Sequence, residues 1–118
     1  MTHTIAIAGA SGRMGQMLID AVRAADDCRL GGALDISSSP ALGLDAGAFA
    51  GQLTGVRITS DLRQGLQGCD ALIDFTRPEG TLEHLRVCRE LGVSVVIGTT
   101  GFTDAQKAEI ADASKDIA

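Results

Sequence analysis

Three glycines, Gly9, Gly12 and Gly15, follow the apolar run Ile5-Ala6-Ile7-Ala8 and precede a segment with helical spacing. A strand, a tight turn and a new helix in that order form an anion site: bare backbone approaches a pyrophosphate, and unpaired helix N–H groups point at it. Gly9 permits the sharp exit from the strand, Gly12 leaves phosphate oxygens room, and Gly15 lets the helix pack closely. Ala10 stands where the commoner G-x-G-x-x-G pattern has its second glycine, so the spacing here is G-x-x-G-x-x-G. Ser11 and Met14 lie in the same turn, and Arg13 is its one cation, placed either on a phosphate or as an exposed helix arginine. Asp35 comes twenty residues after Gly15, at the expected end of a second strand. An acid there accepts hydrogen bonds from adenosine ribose hydroxyls. Ligands of open parallel sheets lie beyond the carboxyl ends of the strands, which also selects Phe75-Thr76 and Gly98 to Gly101. Those two turns suit the nicotinamide side, where backbone groups and the hydroxyls of Thr99 and Thr100 could hold a carboxamide. The plain alternative for Gly98 to Gly101 is a strand-to-helix turn.

No catalytic or metal set accompanies them. His84 falls mid-helix and His3 precedes the first strand, neither with a nucleophile or metal partner in view. The carboxylates read as scattered surface acids, and no nucleophile–base pair can be assembled. Cys28, Cys69 and Cys88 are odd in number and lack C-x-x-C spacing, so they read as small buried hydrophobes in a reducing cytoplasm.

The elements that must position these residues follow in order. Met14, Leu18, Ile19, Val22 and Ala25 make one helical stripe, with Met14, Met17 and Leu18 expected in the core. Cys28 to Leu34 is a second strand, interrupted by Gly31-Gly32. Ile36 to Gly55 is a long, weakly patterned connection, with room for one helical turn around Leu44 to Phe49. Val56 to Thr59 is a brief strand, and Ser60-Asp61 caps a short helix that stops at Gly68. Ala71 to Phe75 is a buried strand. Thr76 with Glu79 spells a capping box, with Pro78 in the first turn, and Leu82, Leu85, Cys88 and Leu91 form the buried stripe of a helix ended by Gly92. Val93 to Ile97, the most β-branched run, reads as a central parallel strand. Thr103 with Gln106 is a second capping box, opening a helix to about Lys115, and Asp116 to Ala118 reads as the approach to another strand. The order β-α-β-β-α-β-α-β-α means a doubly wound, Rossmann-type parallel α/β sheet in a single domain, residues 1–118.

With 118 residues and a net charge of −5, the chain is expected to have no general affinity for nucleic acid or anionic membrane. Any anionic ligand must be gripped locally. No apolar run nears about 18 residues, the length a membrane-spanning helix needs, and the N-terminus is not expected to be a signal peptide.

The motifs together resemble one family. IAIAGASGRMG at Ile5–Gly15, DFTRPEGTL at Asp74–Leu82 and VIGTTGF at Val96–Phe102, with LGLDAGAFAG at Leu42–Gly51, are similar to 4-hydroxy-tetrahydrodipicolinate reductase, also called dihydrodipicolinate reductase. The resemblance covers essentially the whole chain. It implies a bacterial-type enzyme of lysine and diaminopimelate biosynthesis that passes hydride from NADH or NADPH to a cyclic dipicolinate precursor. It also implies that Gly9 to Met14 hold the pyrophosphate, Asp35 the adenosine ribose, and Phe75, Thr76, Gly98, Thr99 and Thr100 the nicotinamide side. The family's substrate domain, with its His- and Lys-containing motif, would lie beyond Ala118. The chain alone is therefore expected to bind cofactor without turning over substrate, and the homotetramer typical of the family would assemble through that further domain. Ile36 stands where some members carry an arginine suited to a 2′-phosphate, so NADH is expected to be preferred over NADPH. Two other readings share the glycine turn: the cofactor domain of a homoserine- or aspartate-dehydrogenase-like enzyme, and a stand-alone nucleotide- or coenzyme-A-binding sensor.

Overall fold

The computed structural model describes residues 3–47 and 54–117. Short apolar runs bounded by turns give strands β1 (His3–Ala8), β2 (Cys28–Leu34), β3 (Ile58–Thr59), β4 (Ala71–Asp74) and β5 (Ser94–Ile97). Helices α1 (Arg13–Ala24), α2 (Leu62–Leu66), α3 (Pro78–Leu91) and α4 (Asp104–Ala113) fill the expected places between them. All neighbours pair in parallel, in the order β3-β2-β1-β4-β5. The doubly wound sheet is therefore as expected. The chain winds outward from β1 through β2 to β3, then returns to the other side of β1 for β4. A crevice opens at that reversal, beyond the carboxyl ends of β1 and β4.

Alternation along β1 builds the two layers of the core. Ile7 packs with Ile19, Val22, Ala33 and Ile58 on one face, and Ala6 and Ala8 pack with Leu34, Leu66, Leu72 and Cys88 on the other. Leu82, Leu85 and Ala113 hold α3 and α4 together. The Arg86–Glu109 and Arg89–Asp112 pairs over them are exposed and add little.

Several expectations are corrected. Met14 and Met17 are not core residues but 45% and 65% exposed. Only Gly15 fits against the glycine turn, which fixes the rotation of α1 so that Gly15, Ile19 and Val22 face inward and the methionines outward. The Thr76/Glu79 capping box does not form: α3 starts after Arg77 with no side-chain cap, because Asp74 engages Thr76 instead. Pro78 opens α3 and Gly92 ends it in the left-handed region, as expected, but Leu91 is 41% exposed. The capping box of Thr103 and Gln106 is formed. Strand β5 is at the edge of the described sheet rather than its centre, with Val96 outward and 55% exposed. Its β-branched composition reflects packing of its inner face on α3 and α4. Asp116 and Ile117, expected on the approach to another strand, follow α4 in a turn, and Ile117 packs on the core. The third strand is two residues, Ile58–Thr59. The connection before it runs as turns through residue 47, pinned by Asp45, while Phe49 and Gly51 of the expected loop motif lie outside the described residues. Cys69 and Cys88 are buried, but Cys28 is only half-buried.

Candidate functional site

β1 delivers the chain to Gly9, whose φ of +72° turns it sharply. The Gly12 N–H then donates to the Gly9 carbonyl at 3.0 Å, and α1 begins at once. A Cβ on Gly15 would stand 2.1 Å from the Gly9 carbonyl oxygen, so only glycine admits this closeness of helix and turn. A Cβ on Gly12 would meet only that same oxygen, at 3.4 Å, and would otherwise enter the cleft. Gly12 supplies no side-chain cap, and α1 has no acid in its first turn. The first N–H groups of α1, with the positive end of the helix dipole, therefore face the cleft uncapped. This is a cradle for a phosphate group, and the residues present fit one.

Asp35 stands at the end of β2, beside the turn. Its Oδ2 accepts from the Ser11 backbone N–H at 3.2 Å and from the Ser11 hydroxyl, and its Oδ1 accepts from the Ile36 N–H at 2.9 Å. The carboxylate thus ties the glycine turn to the end of the second strand and stays exposed to the cleft.

Across the reversal point, β4 ends in Asp74, wholly buried. Its Oδ1 accepts from the Thr76 hydroxyl at 2.6 Å and the Thr76 N–H at 3.0 Å, and His84 Nδ1 lies 2.7 Å from Oδ2. Burial alone would raise the pKa of this carboxyl, but the hydrogen bonds from His84 and Thr76 outweigh it and hold the pKa below the ordinary value. Thr99 completes the network: its hydroxyl accepts from the Thr76 N–H at 3.0 Å and the Thr81 hydroxyl at 2.8 Å. The two turns expected on the nicotinamide side are thereby locked together. Phe75, 42% exposed, lays its ring over Gly98, where a Cβ would come within 1.9 Å of it.

These groups surround one cleft of about 890 Å³. Gly9, Ser11, Gly12, Arg13 and Met14 line one wall, with Asp35 at one end and Phe75 and Thr76 opposite. Four expected residues do not line it. Ala10 is fully buried, its N–H bound to the Leu34 carbonyl at 3.0 Å. Gly98 lies under the Phe75 ring. Thr99 is turned into the buried network, and Thr100 is exposed but away from the cleft wall. Two expectations fail here. Asp74 is not a surface acid, and His84 is not solely structural in placement: paired with the Asp74 carboxylate, which is neither nucleophile nor metal, it lines the cleft. Gly80 and Glu83 on α3, and Arg77 just before it, also line it. The available signal was an acid closing an apolar strand, with a histidine ten residues later on the helix packed over it.

Among the described residues, no group of three or more His, Cys, Asp or Glu side chains could hold a metal, and no helix is long and apolar enough to cross a membrane.

The family described as dihydrodipicolinate reductase, N-terminus, matches residues 3–118. A 4-hydroxy-tetrahydrodipicolinate reductase of Cupriavidus pinatubonensis is 64% identical over 113 residues, covering 96% of this chain and 43% of that protein. Its counterpart in Cupriavidus taiwanensis is 62% identical over the same length, with the same coverage of each. Among solved structures, dipicolinate-bound dihydrodipicolinate reductase from Paenisporosarcina sp. TG-14 superposes with a TM-score of 0.76 at 28% identity, covering 97% of this chain and 43% of that one. The chain thus spans less than half the length of the curated relatives it matches.

Proposed function

The chain belongs to the dihydrodipicolinate reductase family, and from that premise we propose that residues 1–118 are its cofactor domain, holding NADH or NADPH for reduction of a cyclic dipicolinate precursor in lysine and diaminopimelate biosynthesis. The observation that carries this is the cleft at the reversal point, with an uncapped helix N-terminus on one wall and Asp35 at its end. When bound, the reduced nicotinamide supplies the hydride. The first turn of α1 and Arg13 grip the diphosphate, Asp35 accepts from the adenosine ribose hydroxyls, and Phe75 with Thr76 forms the wall on the nicotinamide side. Ala10, Gly98 and Thr99 support these groups from behind, and Thr100 lies at the margin of the site.

Substrate binding, proton supply and assembly into a homotetramer are assigned to the whole enzyme, which is placed in the cytoplasm. Membership of this family sets aside the homoserine- and aspartate-dehydrogenase reading. Asp35 repels a 2′-phosphate and Ile36, 68% exposed, offers it no cation, so NADH is the preferred cofactor. Titration calorimetry of the 118-residue protein with NADH and NADPH at matched salt tests this. NADH is expected to bind more tightly, and equal or tighter binding of NADPH refutes the preference. Ligand that leaves the Gly9–Gly15 turn undisturbed, or enzyme-like NADH consumption with substrate by this chain alone, refutes the assignment of roles.

A further inference from the structure

The Asp74–His84 pair joins a wholly buried carboxylate to a ring that lines the cleft. A buried carboxylate is costly, and Thr76 alone leaves it one oxygen short of a partner. His84 supplies that partner through Nδ1 while its ring, 13% exposed at the side chain, forms part of the cleft wall. With Asp74 ionised, the Nδ1 nitrogen must carry the proton of that hydrogen bond. In the neutral imidazole this leaves Nε2 as an acceptor, a tautomer fixed by the buried acid.

Gly80 is the second observation. It sits in the first turn of α3, in place of a residue with better helix propensity. A Cβ there would stand 3.4 Å from Thr76 Oγ1 and 3.9 Å from His84 Cε1. No protein backbone blocks that Cβ. Its absence leaves the Thr76 hydroxyl and the edge of the His84 ring open to the cleft.

Resting on the cofactor reading above, we infer that His84 is a binding residue of the nicotinamide half: its Nε2 accepts a hydrogen bond from a ribose hydroxyl or from the carboxamide, and Asp74 is the positioning residue that sets the tautomer. The diphosphate cradle lies at the end of β1 and the Asp74 network at the end of the adjacent β4, so a dinucleotide seated on the first extends its second half over Thr76, Gly80 and His84.

The test uses His84→Asn, whose amide can replace Nδ1 on Asp74 but has no counterpart of Nε2. Affinities for NADH, ADP-ribose and ADP are measured against wild type, with melting temperature as the check on folding. NADH binding is expected to weaken roughly tenfold while ADP binding is unchanged. A loss shared by ADP-ribose assigns the donor to the ribose, and a loss confined to NADH assigns it to the carboxamide. Should His84→Asn fail to fold, Asp74→Asn carries the same test, because an amide at 74 donates to Nδ1 and moves the ring proton to Nε2. The chain has two histidines, so nitrogen–proton correlation spectra at about pH 8 resolve the tautomer directly. Wild type is expected to hold the proton on Nδ1 and to shift its Nε2 resonance on binding NADH. A variant that binds all three nucleotides as wild type does, one that loses ADP equally, or a wild-type ring protonated on Nε2 overturns this inference alone. A wild type that binds none of the three overturns the cofactor reading with it.

Discussion

Replacing Gly15 with alanine separates the two demands made on the glycine turn. The added Cβ would lie 2.1 Å from the Gly9 carbonyl oxygen, 2.8 Å from its carbon and 2.9 Å from Ala10 Cα. All three are backbone atoms, so no side chain can swing away. To restore an ordinary contact, the start of α1 and the turn must part by roughly 1.3 Å. Overpacking of this kind costs about 1–3 kcal/mol, and the rigidity of the neighbours places it near the upper end. Alanine returns about 1 kcal/mol of helix propensity. The net loss is about 2 kcal/mol, a fall in melting temperature of roughly 6–12 °C for a domain of this size. The same displacement carries the first N–H groups of α1 beyond hydrogen-bonding distance of a phosphate held against the turn, so NADH affinity falls by at least about tenfold. Gly12→Ala is the control. Its Cβ meets only one atom at 3.4 Å, so the fold should lose only the difference between glycine and alanine as an N-cap, about 1 kcal/mol or less, while NADH binding is lost to the methyl in the cradle. Thermal melts and NADH fluorescence titrations read both quantities. A Gly15→Ala protein with wild-type stability and affinity, or a Gly12→Ala protein that binds NADH normally, would refute the reasoning.

Two further outcomes follow from buried or saturated groups. Asp45 accepts from Thr54, Gly47 and Gly55, and the Thr54 and Gly47 backbone N–H groups in particular bring its pKa down to about 2. Its folded pKa is below its unfolded one, so its stabilisation is complete above the ordinary carboxylate range and disappears as pH falls through about 2. Acid titration of Asp45→Asn should show a shallower acid limb than wild type, and an identical limb would contradict this. Burial, with the nearby Asp74 charge second, pushes the Cys88 thiol up to about 12. Ellman's reagent at about pH 8 should therefore label Cys88 and Cys69 only after unfolding. Reaction of Cys88 in the folded protein at the rate of a free thiol would show that the core opens.

Element order and type were legible because their signals are local. Apolar runs of four to seven residues, the Asp61 and Thr103 caps and the Gly92 stop each act within a single turn of chain. What could not be read depends on partners distant in sequence. Thr76 looks like a helix cap until Asp74, wholly buried, takes its hydroxyl. The face that α1 buries was misread because a methionine at helical spacing outweighs a glycine on any hydrophobicity scale. Close packing decides otherwise, since Gly15 alone fits against the turn. Composition could not tell an edge strand from a central one at β5, since burial by helices on one face favours the same residues. On the site, the glycine turn and Asp35 stood out by spacing. His84 did not, because its partner belongs to a strand rather than to its own helix.

The middle place of β1 in the sheet bears on how the protein is made. Its Thr4 N–H is bound by the Asp70 carboxylate at 2.8 Å, and its second neighbour, β4, begins only at Ala71. As the chain leaves the ribosome, β1 must wait for about sixty further residues before both of its edges are covered. Contacts of such separation are slow to close. The cleft, which needs the ends of both strands, cannot form until β4 has emerged.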